Sequence, residues 1–167
     1  MATSLIRVLV VDDFEPFRRV VCSTLRNGLE LQNVVEASDG LEAVELARAL
    51  QPDLVLLDIG LPKLNGIDAA RRIRELAPKS KILFVSQESS VDVVQQAFSV
   101  GASGYVVKVD VGSELPTAVK AVLRGERFVG YRFAGHGFAG DSDEHPAEAS
   151  SGRKSLSRSN DRDPSKS

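Results

Sequence analysis

The stretch Leu54-Val55-Leu56-Leu57-Asp58-Ile59-Gly60-Leu61-Pro62 constrains this chain more than any other. Four large apolar residues in succession lack the alternation of a strand with one wet face. They predict a strand buried on both faces, as in a parallel sheet covered by helices. Asp58 ends the run. A carboxylate at the carboxyl end of a buried strand stands where open α/β sheets place their ligands. Gly60 and Pro62 turn the chain at once and leave Asp58 at a rim.

The same pattern recurs along the chain. Residues 6–11, mostly β-branched, predict a central strand that ends at Asp12-Asp13. Pro16 suits the first turn of a helix whose apolar positions are Phe17, Val20, Val21, Thr24 and Leu25, closed by Asn27-Gly28. Residues 34–37 read as a short second strand, and Asp39-Gly40 as a turn. Leu41, Ala43, Val44, Ala47 and Leu50 mark an amphipathic helix stopped by Pro52. After the third strand, residues 54–58, a helix on Ile67, Ala70, Ile73 and Leu76 stops at Pro78. Residues 81–85 form a fourth strand ending at Ser86, followed by a helix on Val91, Val94, Ala97, Phe98 and Val100. Residues 104–107 form a fifth strand ending at Lys108, and Leu115, Val119, Val122 and Leu123 mark the last helix.

Strands alternating with helices imply a doubly wound α/β fold, a five-stranded parallel sheet with helices on both faces. Right-handed crossovers leave few topologies, and the order 2-1-3-4-5 places the switch point between strands 1 and 3. Asp12, Asp13 and Asp58 then share one crevice.

Residues 1–128 account for all of this, a single domain of ordinary size within 167 residues at 43% apolar content. From residue 129 to 167 Ser, Gly and charged residues dominate, and from Gly130 on the only large apolar side chains are Tyr131, Phe133, Phe138 and Leu156. Such a segment is expected to be a disordered tail, because it buries too little surface to offset its ordering entropy. His136 and His145 lie in it without the further ligands a metal site needs. Its Arg153, Lys154, Arg158 and Arg162 are interrupted by serines and aspartates and read as solvated. A net charge of -2 argues against bulk electrostatic binding of nucleic acid. The one cysteine, Cys22, falls on an apolar helical stretch and reads as a buried, inert thiol in a reducing compartment. No basic leader is present, and no apolar run approaches the roughly 18 residues of a membrane helix. A cytoplasmic protein is expected.

Four of the five strands end in a residue able to do chemistry: Asp12 and Asp13, Asp58, Ser86 and Lys108. Each alone has an ordinary explanation as a helix cap or a solvated charge. Together they fall on one edge of the sheet. Two carboxylates about 5 Å apart at an effective dielectric of about 20 repel by roughly 3 kcal/mol. Protonation, a lysine or a divalent cation relieves this. An all-oxygen, half-open site favours Mg²⁺, with Asp13 and Asp58 as direct ligands, the Gly60 carbonyl as a third, and Asp12 acting through a water. A carboxylate so placed can attack a phosphoryl group, with Lys108 neutralising charge on the transferring oxygens and the Ser86 hydroxyl donating to one of them. No P-loop or G-x-G-x-x-G pattern occurs.

This set of residues resembles the response-regulator receiver domain of two-component signalling, the CheY-like branch of the flavodoxin-like folds. The resemblance covers residues 5 to about 128: an acidic pair after strand 1, Asp58 with Pro62 and Gly66 behind it, Ser86 after strand 4 and Lys108 after strand 5. The stretches Gly101-Ala102-Ser103-Gly104-Tyr105-Val106-Val107-Lys108 and Ala121-Val122-Leu123-Arg124-Gly125-Glu126 are similar to receivers that carry a LuxR-type helix-turn-helix.

The resemblance implies Mg²⁺-dependent transfer of phosphate to Asp58 from a sensor histidine kinase or phosphotransfer protein, with Ser86 and Tyr105 as the switch pair. The output face would be helix 4, strand 5 and helix 5, acting on a downstream protein or a second copy of the chain. The protein would catalyse only its own phosphorylation and dephosphorylation. Val109 stands where the family often has proline, and Ser86 where threonine is commonest. No apolar-periodic helices follow residue 130, so specific DNA binding by this chain is not expected, and an effector lost or replaced is one account of its origin.

Two rival readings fit the same residues. One is a phosphate-independent, receiver-like interaction module, recognisable by partner binding that ignores Mg²⁺ and phosphorylation. The other is a metal-dependent phosphatase, which wants a second aspartate two residues after its nucleophile, where this chain has Gly60. Lys63 and Glu88 flank the site, either as tuners of water access or as solvated loop charges.

Overall fold

The computed structural model describes residues 5–138. The order is β1 Ile6–Val11, α1 Glu15–Gly28, β2 Leu31–Ala37, α2 Gly40–Leu50, β3 Leu54–Leu57, α3 Gly66–Leu76, β4 Lys81–Ser86, α4 Val91–Ser99, β5 Gly104–Val107, α5 Val111–Leu123 and β6 Phe128–Val129. All strand pairs are parallel, in the order β2-β1-β3-β4-β5-β6. The core order 2-1-3-4-5 is the expected one.

β3 sits between β1 and β4, and all four of its residues are buried. Side-chain parity divides them. Val55 and Leu57 join the core under α2, α3 and α4, together with Leu9, Val11, Ile82, Phe84 and Tyr105. Leu54 and Leu56 join the core under α1 and α5, with Val8, Val10, Leu83, Val85 and Val106. Cys22 is buried in this second core. Burial pushes its thiol pKa up, with the Glu36 carboxylate adding to the effect.

The helices start where short polar side chains satisfy otherwise unpaired amides. Asp39 accepts from the Glu42 amide at 2.7 Å, Asn65 from that of Asp68 at 3.0 Å and Ser90 from that of Val93 at 3.2 Å. α1 has Pro16 in its first turn. α2 ends at Gln51, in the left-handed region with φ 49°, immediately before Pro52. Gly66 opens α3 against the β3 loop. A Cβ there would collide with the Asp58 carbonyl oxygen, and its amide donates to the Ile59 carbonyl at 2.7 Å. The helix therefore rests directly on the turn that carries Asp58.

The expected boundary at residue 128 falls within ordered structure. Phe128–Val129 adds a sixth parallel strand beside β5, so the sheet has six strands rather than five. Tyr131–Phe133 forms a 3₁₀ turn, and Phe133 and Phe138 are 3% and 7% exposed. Composition missed this segment because tertiary docking, not local propensity, orders it. Residues 139–167, with His145, Leu156 and the basic cluster, lie outside the described residues.

Candidate functional site

The carboxyl ends of β1, β3, β4 and β5 open into one crevice of about 940 Å³, whose lining includes Asp13, Asp58, Gly60, Ser86, Glu88 and Lys108. Each reaches it because it ends an apolar strand or follows that strand's end within three residues. β1 stops at Val11 and delivers Asp12 and Asp13. β3 stops at Leu57 and delivers Asp58. β4 ends on Ser86, and β5 stops before Lys108. The sheet pulls its apolar residues inward, and the first polar side chain is left at the edge.

Asp12, Asp13 and Asp58 each bring a carboxylate oxygen within 4.8 Å of the others. Asp12 is buried at 3% exposure and Asp58 at 7%, while Asp13 is exposed. Asp12 accepts from the Phe14 amide at 2.9 Å, and Asp58 from its neighbour Ile59 at 2.7 Å. The Lys108 ammonium lies 2.6 Å from Asp12 and 3.1 Å from Asp58. It also sits over the Phe17 ring, 4.6 Å from the centroid.

The charges set one another. Burial pushes the Asp58 carboxyl above its ordinary value; Lys108 opposes this and Asp12 reinforces it. Burial disfavours the Lys108 ammonium, but hydrogen bonds and attraction from Asp12 and Asp58 outweigh it and hold its pKa above the usual value. Lys108 thus bridges two of the three carboxylates, and its single charge leaves the cluster net negative. The remaining site consists of hard oxygen donors beside open solvent, a donor set that suits Mg²⁺.

Ser86 is buried, and its hydroxyl accepts from the Glu88 amide at 3.2 Å. Tyr105 is fully buried, its hydroxyl donates to the Glu88 carbonyl at 2.8 Å, and its pKa is pushed up by burial to about 12. The two proposed switch residues therefore meet on the same backbone segment. Glu88 lines the crevice, whereas Lys63 pairs with Asp39 at 3.5 Å, outside it.

Sequence reasoning missed Phe17, Phe14 and Val109. Phe17 reads as core by helical period, and nothing in its spacing marks the contact with Lys108. Phe14 and Val109 stand 60% and 79% exposed at the rim. An exposed aromatic immediately after an acidic pair is the one signal that pointed to Phe14.

A parallel α/β sheet of core order 2-1-3-4-5, with an acidic cluster and a lysine at its carboxyl edge, defines a receiver-type fold. Residues 8–120 match the Response regulator receiver domain family, and the chain belongs to that family. It is the receiver domain of a two-component response regulator. Its relatives include transcriptional regulators. It is 35% identical over 124 residues to the transcriptional regulatory protein DegU of Brevibacillus brevis, covering 74% of this chain and 52% of that one. It is 33% identical over 122 residues to the transcriptional regulatory protein LiaR of Bacillus subtilis, covering 73% and 58%.

Among solved structures, a LuxR-family two-component response regulator from Aurantimonas sp. SI85-9A1 matches with TM-score 0.74 at 34% identity, over 78% of this chain and 94% of that one. The signal receiver domain of the putative response regulator NarL from Mycobacterium tuberculosis matches with TM-score 0.70 at 32% identity, over 74% of this chain and all of the other. The chain spans about half the length of the curated relatives it matches. Among the described residues no helix is long and apolar enough to cross a membrane.

Proposed function

We propose that Asp58 is the phosphoacceptor of this receiver and that the chain switches a partner through its α4–β5–α5 face. One observation carries the reading. The carboxylate at the end of the central strand lies 3.1 Å from the Lys108 ammonium and within 4.8 Å of two further carboxylates. Asp13 and Asp58 would hold Mg²⁺ directly, with the Gly60 carbonyl as a third ligand and Asp12 through a water. Bound there, the ion would neutralise charge on a transferring phosphoryl group.

The chain's own residues do the rest. Asp58 supplies the attacking oxygen: a new O–P bond forms while the N–P bond to a histidine of the donor breaks, and the imidazole nitrogen keeps the electron pair. Lys108 moves its attraction from the free carboxylate to the phosphoryl oxygens. The group adds a charge of about -1.5 to -2 at the crevice. The Ser86 hydroxyl turns toward it, and Tyr105 holds the inward position it has against Glu88. The donor is a histidine kinase or phosphotransfer protein, and the chain catalyses only its own phosphorylation and dephosphorylation. It is cytoplasmic, as response regulators generally are.

The test is intact-mass spectrometry after incubation with acetyl phosphate, with and without Mg²⁺, on the wild type and Asp58→Asn. A single Mg²⁺-dependent phosphate adduct, absent in Asp58→Asn, is expected. An adduct of equal yield in that variant would overturn the assignment.

A further inference from the structure

The face that carries Tyr105 is not bare. Residues 128–138 run along its edge, and Val129, Phe133 and Phe138 cover it. Phe128 and Val129 pair with Gly104 and Tyr105. The Phe128 amide donates to the Ser103 carbonyl at 3.0 Å, and that of Gly130 to the Tyr105 carbonyl at 3.2 Å. The Tyr131 amide donates to Glu114 of α5 at 2.8 Å, and Arg132 pairs with Asp110 at 2.8 Å. Beyond these anchors the segment folds two rings inward. Phe133 meets Tyr105 edge to face at 5.9 Å, Phe138 meets Phe133 edge to face at 6.1 Å, and Phe138 stacks on Phe98 of α4 at 5.9 Å.

The approach is close enough to depend on two glycines. A Cβ on Gly104 would stand 2.8 Å from a Leu83 methyl and 3.0 Å from the Phe128 carbonyl oxygen, and one on Gly130 would stand 2.7 Å from Glu114 Oε1. That Glu114 oxygen is buried without a hydrogen-bond partner among the described residues. Leaving a carboxylate oxygen dry and unpaired opposes docking, so the segment is held by a balance of terms rather than by packing alone.

We propose that residues 128–138 are the output of this receiver in cis: phosphorylation at Asp58 and docking of this segment favour each other through Tyr105. The inference rests on Asp58 being the phosphoacceptor. The physical link is short. Ser86 and Glu88 line the same crevice as Asp58, the Glu88 amide and carbonyl bind the Ser86 and Tyr105 hydroxyls, and the Tyr105 ring is a wall of the Phe133 site. An outward Tyr105 would leave Phe133 without its edge-to-face partner. A phosphoryl group that fixes Ser86 and keeps Tyr105 inward therefore stabilises the docked segment. By linkage, the docked segment stabilises the phosphorylated form by the same factor.

The segment also occupies the surface that a downstream protein or a second copy would have to use. The switch thus controls access to that surface through its own chain.

Hydrogen exchange on the full chain tests this, read by mass with and without acetyl phosphate and Mg²⁺, on the wild type and Phe133→Leu. Phosphorylation should slow exchange of the Phe128, Gly130 and Tyr131 amides by about fivefold or more, the lower bound of ordinary coupling. In Phe133→Leu these amides should exchange faster and lose the response, while β1 and β3 stay protected and the adduct still forms. An adduct with unchanged exchange across 128–138 would overturn the inference alone. Absence of any adduct would overturn the Asp58 assignment and this inference with it. If Phe133→Leu also lost protection in β1 and β3, Tyr105→Phe would replace it: docking retained without phosphate and a blunted response to it are expected, and a full response would overturn the coupling.

Discussion

The carboxyl edge of the sheet and its lateral edge at β5 are closed by different means. At the carboxyl edge, charged groups are held by strands that are themselves buried on both faces. Asp58 follows a strand with no exposed residue, so moving it requires moving the core. At the lateral edge a two-residue strand and two phenylalanine rings cover β5. On the proposal above, that cover leaves without unfolding what lies beneath it. A rigid site beside a releasable cover is a workable arrangement for a switch: the first holds chemistry in register, and the second is cheap to move.

Leu56→Ala should produce the largest effect. It hollows a central strand and should lower unfolding free energy by about 2–5 kcal/mol. Phe138→Ala removes a larger side chain, yet its cost is limited to the free energy with which 128–138 docks. Denaturant unfolding of both variants breaks the comparison if Phe138→Ala proves as costly as Leu56→Ala.

Lys108→Met comes next. It leaves Asp12 and Asp58 desolvated beside each other without their cation, at a cost of about 3 kcal/mol, the lower end for breaking a buried ion pair. Thermal melts in chelator should show the loss, and Mg²⁺ should recover much of it. No recovery would detach the acidic cluster from metal binding.

The smallest effect is a slope with pH. Burial raises the folded-state pKa of Asp58 above the ordinary carboxylate value. The native state then binds this proton more tightly than the unfolded chain. The group's contribution to stability is fully present below the unfolded value and is lost as pH rises through the raised folded value. Asp58→Asn in chelator should flatten the fall in stability as pH rises above the ordinary carboxylate range, relative to the wild type. Parallel curves would show that Lys108 compensates the carboxylate in full.

The two edges also differ in how far the sequence revealed them. Asp12, Asp13, Asp58, Ser86 and Lys108 each interrupt an apolar run, and a polar residue at the end of a buried strand has nowhere to go but the rim. Their chain positions alone therefore predicted a shared crevice. The order of strands 1 to 5 was legible for the same reason, since period and breakers agree along the whole stretch. Phe128, Val129, Phe133 and Phe138 sit among glycines and charges, in runs too short to show a period. Their order comes from Tyr105, Phe98 and Glu114, which are distant in sequence. Two aromatic residues five positions apart in a polar segment were the available signal, and composition outvoted it. Phe17 escaped for the opposite reason: its helical spacing explained it so well as core that its position under Lys108 left no trace.

Cys22 gives the molecule a clock. It is the chain's one cysteine, buried between α1 and the sheet, with a thiol harder to ionise than usual. Its side chain also lines a surface pocket with Arg19, Arg26 and Glu36, where a thiol reagent meets a largely covered sulfur. Its labelling rate reports on the α1–α5 side, while Tyr105, Phe133 and Phe138 lie on the other side of the sheet. Labelling that keeps the same pace with and without acetyl phosphate would show that the switch runs on one face while the other stays shut.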